Sequence, residues 1–101
     1  MTTHAQPLSD SDITTAIATL TGWERVGDSL TKTYKFASYL AGIAFASAVG
    51  VLSEGEDHHP ELTIGWRKVT VSYSTHDAGD KISQRDVDLA HAVEGLGYPK
   101  A

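Results

Sequence analysis

Apolar positions recur along this chain with two different periods, and the changes of period mark its elements. Residues 1–8 are polar and unpatterned and read as a flexible tail. Ile13, Ala16, Ile17 and Leu20 then recur at i, i+3, i+4 and i+7, the spacing of one helical stripe. Ser9 and Asp12 precede it at capping-box spacing, with Asp in place of the usual Glu or Gln, and Gly22 supplies a stop. Two short runs follow, Trp23 to Val26 and Leu30 to Phe36, around Gly27-Asp28-Ser29. In the second, Leu30, Lys32, Tyr34 and Phe36 alternate with Thr31, Thr33 and Lys35, so the pair reads as a hairpin.

Ser38 to about Leu52 is the longest apolar segment and reads as a central helix, despite the cost of Gly42 in its interior. Leu40, Ile43, Ala44, Ser47 and Val51 lie on one side, and this narrow small-residue surface is expected to pack on a sheet. Glu54-Gly55-Glu56-Asp57 ends the helix, and His58-His59-Pro60 follows at once. Pro60 cannot continue a helix and biases His59 toward extended geometry. Glu61 to Trp66 and Arg67 to Thr75 form a second pair of extended runs, with Leu62, Ile64 and Trp66 on one face and Val69, Val71 and Tyr73 on another. Asp77 to Asp80 is turn chemistry. A last helix starts at Ser83, again with capping-box spacing to Asp86, and runs to about Gly95 or Leu96.

The order is therefore α-β-β-α-β-β-α. Two hairpins that each need one covered face predict an α+β fold, a four-stranded antiparallel sheet with helices packed on one side. Residues 9–101 form a single domain, consistent with a length of 101 residues.

Composition narrows the chemistry. With no cysteine, disulfides, thiolate metal ligands and thiol catalysis are excluded, and a reducing cytoplasmic setting is the expectation. The net charge of −5 and the lack of a Lys/Arg cluster argue against direct binding of nucleic acid. No apolar run approaches the ~20 residues of a membrane span, and the first ten residues lack the basic and apolar regions of a secretory signal.

Five histidines remain. His4, in the tail, and His91, off the apolar stripe of the last helix, read as solvated. His58 and His59 are adjacent, and in extended chain such neighbours point to opposite sides. That suits two imidazoles aimed at different atoms of one organic substrate better than a chelate, since Zn²⁺ would want a third ligand such as Asp57 or His76. A side chain with an ordinary pKa near ~6.5 can act as acid or base at neutral pH, and one of the nearby acids, Glu54, Glu56, Asp57 or Glu61, can fix a tautomer. Alternation places His76 with Thr70, Ser72 and Ser74, on the face opposite the valines. Asp86 either completes the cap of the last helix, the favoured reading, or points inward with Leu89, Ala90 and Val93 toward a histidine or a backbone amide.

Taken together, Glu54, His58-His59-Pro60, Trp66, His76 and Asp86, with three, five, nine and nine residues between them, strongly resemble the pterin-4a-carbinolamine dehydratase family. The stretches Glu56 to Glu61, Arg67 to Asp77 and Ile82 to Ala90 look like family text, and the resemblance spans about Leu8 to Leu96. Leu62 stands where many relatives carry an aromatic residue, and Trp66 where tyrosine is common. The resemblance implies a hydro-lyase that removes water from a 4a-hydroxytetrahydropterin to give the quinonoid dihydropterin, in recycling of the tetrahydropterin cofactor of aromatic amino acid hydroxylases. It implies no metal or redox cofactor. By position, His58, His59 and His76 would be the catalytic imidazoles. Asp57, Ser74, Thr75 and Asp77 would surround the pterin, and Glu54 would orient a histidine, with Pro60, Trp66 and Asp86 in orienting or structural roles. A homodimer or homotetramer is expected. The alternative is a non-catalytic pterin-binding, coactivator-like or assembly module, since some animal members serve as dimerisation cofactors of a homeodomain transcription factor.

Overall fold

The computed structural model describes residues 5–97. Helix α1 (Asp10–Ile17) leads into strands β1 (Glu24–Val26) and β2 (Ser29–Lys35), helix α2 (Tyr39–Gly55), strands β3 (Glu61–Gly65) and β4 (Lys68–Tyr73), a 3₁₀ turn at His76–Ala78, and helix α3 (Gln84–Glu94). The four strands form one antiparallel sheet in the order β1-β2-β4-β3, so the α+β expectation and its element order hold.

Strand alternation decides which side of the sheet is covered. Leu30 and Tyr34 of β2 and Val69, Val71 and Tyr73 of β4 are buried under the helices. The opposite face carries hydroxyls, with Thr31 bonded to Ser72 at 2.9 Å and Thr33 to Thr70 at 2.8 Å across the β2–β4 pair. Lys32 shares the covered face, yet it is not orphaned. Its Nζ donates to Glu94 Oε2 at 2.9 Å and to the Thr21 carbonyl at 2.8 Å. Trp23 Nε1 and the Tyr34 hydroxyl donate to the same Glu94 oxygen, which ties α3 to the β1–β2 hairpin. Burial pushes the Glu94 carboxyl up, but these three bonds and the Lys32 charge outweigh it and hold it below its ordinary value. Burial and the Glu94 bond push the Tyr34 phenol well above its own. Gly22, at φ +84°, makes room, since a Cβ there would meet Lys32 Cε at 2.9 Å.

Three expectations change. Helix α1 ends at Ile17, and Leu20 reaches the core from the turn that follows. Residues 1–4 of the expected tail lie outside the described residues, as does His4. Pro7 and Leu8, however, are held against Ile82 and Ser83 by a bridge and by a 2.9 Å bond from Leu8 N to the Ile82 carbonyl. The largest correction concerns α2. It buries Gly42, Phe45, Ala46, Val49 and Ser53, whereas Leu40 and Val51, on the side expected to pack, are 73% and 75% exposed. A Cβ at Gly42 would meet Val69 Cγ2 at 3.4 Å and Phe36 Cδ2 at 3.6 Å, ordinary contact distances, so this side of the helix packs directly on the sheet.

Candidate functional site

The end of α2 sets the position of the histidine pair. Asp57 N donates to the Glu54 carbonyl and His58 N to the Ser53 carbonyl, both at 3.1 Å, the two bonds of a Schellman ending. That ending needs a left-handed residue, usually glycine, and here Asp57 takes it at φ 50°. The reversal turns His58 back under the sheet, where it is 8% exposed, and leaves His59 outside.

His58 packs nearly parallel to Tyr73, with ring centroids 5.9 Å apart. The Tyr73 hydroxyl shares a 2.7 Å bond with Ser53, which pins this support to α2. His58 Nε2 lies 2.6 Å from Asp86 Oδ1, and Asp86 is fully buried. Its other oxygen accepts from Thr75 Oγ1 and from Ser83 N, each at 2.8 Å. Because the Thr75 proton goes to Asp86, the 2.6 Å contact between Thr75 and Ser83 is donated by the Ser83 hydroxyl. Asp86 therefore both closes the capping box of α3 and meets a histidine, so its two readings are one arrangement. A buried carboxylate with three donors is satisfied.

The other two imidazoles are exposed and each has its own acid. His59 Nε2 lies 2.6 Å from Glu54 Oε1, and His76 Nδ1 lies 3.0 Å from Asp80 Oδ1. β4 ends at Tyr73 rather than at Thr75, and a bridge from Thr75 to Lys81 closes the loop that presents His76. The Asp80 hydrogen bond and charge, with Asp77 adding to them, raise the His76 pKa above its ordinary value.

Asp57, His58, His59, Ser74, Thr75, His76, Asp77 and Arg85 line one open cleft of about 300 Å³. The structure thus brings seven of the expected residues together, with Glu54 behind His59 and Asp86 behind His58. The Thr75 side chain is engaged by Asp86 and Ser83, so Thr75 serves as wall. Pro60 follows the pair and precedes β3. Trp66 is not part of the cleft. It sits 74% exposed at the β3–β4 turn, at the other end of β4, with the Arg67 guanidinium 5.1 Å from its ring. His91 is exposed and lies 3.3 Å from Thr19 Oγ1.

Four contributors escaped sequence reading. Ser53 and Tyr73 look like ordinary core positions. Asp80 reads as turn chemistry, although its i+4 spacing from His76 was a signal. Arg85, the one Arg or Lys among the cleft residues, has its Nη1 3.9 Å from Asp77 Oδ2 and looked like an ordinary helix residue. Among the described residues, no three His, Asp or Glu side chains come together in a group that could hold a metal ion, and no helix is long and apolar enough to cross a membrane.

This fold and cleft define a class of small α+β proteins. A solved structure of a transcriptional coactivator/pterin dehydratase from Brucella melitensis superposes with a TM-score of 0.84 at 25% identity, over 90% of this chain and 98% of the other. A pterin dehydratase-like protein described as a RuBisCO assembly factor in the alpha-carboxysome shares the fold, with a TM-score of 0.60 at 23% identity, over 75% of this chain and 87% of the other. The profile of the pterin 4 alpha carbinolamine dehydratase family matches residues 6–96, and the chain belongs to that family. Relatives named "Putative pterin-4-alpha-carbinolamine dehydratase" include one from Natronomonas pharaonis, 54% identical over 73% of this chain and 79% of its own length. Another, from Thermosynechococcus vestitus, is 44% identical over 91% of this chain and 96% of its own length.

Proposed function

We propose that this protein is a 4a-hydroxytetrahydropterin dehydratase that works by histidine acid–base catalysis. One observation carries the reading. His58, His59 and His76 meet at a single cleft, and each commits one ring nitrogen to its own carboxylate, Asp86, Glu54 or Asp80. A carboxylate on one nitrogen fixes the ring and leaves the other nitrogen to exchange a proton with a ligand.

The reaction needs two such exchanges. A proton must reach the hydroxyl on C4a as the C–O bond breaks and water leaves. The N5 proton must be taken up as the C4a–N5 double bond forms. Imidazoles on different sides of one small cleft supply both, and assistance of this kind is worth about 10²–10⁴-fold. In this reading Asp57, Ser74 and Asp77, which line the cleft, contact the polar edge of the ring, with Thr75 as wall. The test is the dehydration of chemically generated 4a-hydroxytetrahydropterin, followed by ultraviolet absorbance, with and without protein.

A second reading, as an interaction or assembly module, is favoured by the apolar side of α2. Leu40, Val51 and the half-buried Ile43 leave an exposed stripe that the fold itself does not cover. In the proposed account this face joins copies of the chain into a homodimer or homotetramer, leaving the histidine cleft free to turn over substrate.

A further inference from the structure

The end of the sheet farthest from the histidine cleft carries positive charge that the fold does not answer. Arg25, Lys32, Lys81 and Arg85 each stand beside a carboxylate, of Asp10, Glu94, Asp28 and Asp77 respectively. Lys35, Arg67 and Lys68 have no such partner among the described residues, and the three gather around the exposed Trp66. Lys35 and Lys68 are Cα partners across the β2–β4 pair, a like-charge pairing that is unfavourable on its own. Lys68 lies over Gly65, where a Cβ would meet its side chain at 3.2 Å. Arg67 takes a left-handed turn position at φ 63°, where glycine or asparagine is usual, and its guanidinium lies 5.1 Å from the Trp66 ring. Together with Phe36 these residues line a hollow of about 310 Å³.

We propose that this end of the sheet docks an acidic segment of another protein, one in which two or three carboxylates flank an aromatic side chain. Lys35, Lys68 and Arg67 take the carboxylates, Arg67 through the paired bonds a guanidinium offers, and Trp66 covers the aromatic ring. The charge distribution selects this occupant. The chain carries −5 overall, so three positive charges here leave −8 on the rest of it. A nucleic acid would continue its phosphates past the patch onto that acidic surface, whereas a peptide can confine its charge to the three cations. Small molecules are held in hollows that bury most of their surface, and the walls of this one are mainly exposed side chains. Trp and Arg are also the residues that concentrate binding energy at protein interfaces. The patch shares no residue with the histidine cleft, so the inference stands apart from the dehydratase reading.

The test titrates the full chain at low salt with a short synthetic peptide that carries three glutamates around one phenylalanine. Of the two tryptophans Trp23 is buried, so the expected signal is a blue shift of Trp66 emission and protection of Trp66 from acrylamide quenching. Calorimetry should show binding weakened by about tenfold or more in three cases: a peptide with glutamine for glutamate, Trp66→Ala, and Lys35→Glu combined with Lys68→Glu. Wild-type affinity should also fall as salt is raised. All three positions are exposed, so the variants alter the surface and leave the core intact. The proposal is overturned if millimolar peptide leaves Trp66 emission unchanged, if the glutamine peptide binds as tightly, or if the variants bind like the wild type. Tighter binding of a single-stranded oligonucleotide or a nucleoside triphosphate than of the acidic peptide would also overturn it. A blue shift that grows with protein concentration alone would do the same, by seating a second copy of the chain on the patch.

Discussion

His58 and Asp86 come from the two ends of the cleft's helical wall, one just past the end of α2 and the other in the first turn of α3, and meet at 2.6 Å out of solvent. The same carboxylate closes the capping box of α3 through Ser83 N and takes the Thr75 hydroxyl. The helix start, the strand end and the histidine therefore depend on one side chain.

Asp86→Asn is the informative change at this point. An amide offers one acceptor where the carboxylate met three donors, so a donor is left facing a donor in a buried site. Stability should fall by about 1–3 kcal/mol in urea denaturation, and turnover should fall with it. A double-mutant cycle with His58→Ala should show a coupling of about 0.5–3 kcal/mol. Additive effects on stability would mean that the contact does not connect the two residues energetically.

His76 gives the pH dependence a specific direction. Asp80 raises its pKa above the ordinary 6.5, so the imidazolium form is favoured in the folded protein. The contribution of that pair is present below pH 6.5 and is lost as pH rises through the raised value. NMR titration of the ring should give a wild-type midpoint above 6.5, and Asp80→Asn should move it back toward 6.5. If protonated His76 supplies the proton to the leaving hydroxyl, the alkaline limb of the rate profile moves down in the variant as well.

Asp57 separates stability from function. It occupies a left-handed position that costs an ordinary L-residue about 1–2 kcal/mol, and its carboxylate lines the cleft. Asp57→Gly should unfold at a temperature equal to or above that of the wild type, while its turnover falls. Asp57→Ala should be less stable than Asp57→Gly. A glycine variant that is both stable and fully active would remove Asp57 from the substrate-contacting set.

The α2 stripe predicts self-association. Leu40→Glu with Val51→Glu should lower the mass seen by light scattering after gel filtration, without unfolding the protein, since both side chains are already exposed. A wild type that runs as a monomer at high concentration would leave the stripe for another partner.

The sheet was legible because its strands alternate cleanly. Val69, Val71 and Tyr73 against Thr70 and Ser72 leave only one face to cover, and the first hairpin turns at the polar Gly27-Asp28. The phase of α2 was not legible, because apolar residues occur on every side of it. With no polar side to mark solvent, the buried face is chosen by Phe45, Val49 and the packing at Gly42, which are tertiary facts. At the site, the histidines and Asp86 could be named through the family resemblance, and Glu54 as a carboxylate that orients one of the histidines. The pairing of His58 with Asp86 spans 28 positions and depends on how α3 docks, so local pattern could only leave it open. Trp66 shows the converse, since a residue can belong to a sequence pattern and still stand at the far end of the strand from the cleft.

The most direct test of the central claim is the rate of dehydration of chemically generated 4a-hydroxytetrahydropterin with wild type, His58→Ala and His76→Ala, with and without a chelator. The account predicts acceleration by the wild type that survives chelation and falls about 10²-fold or more in a histidine variant. Folded wild-type protein that leaves the buffer rate unchanged would contradict it.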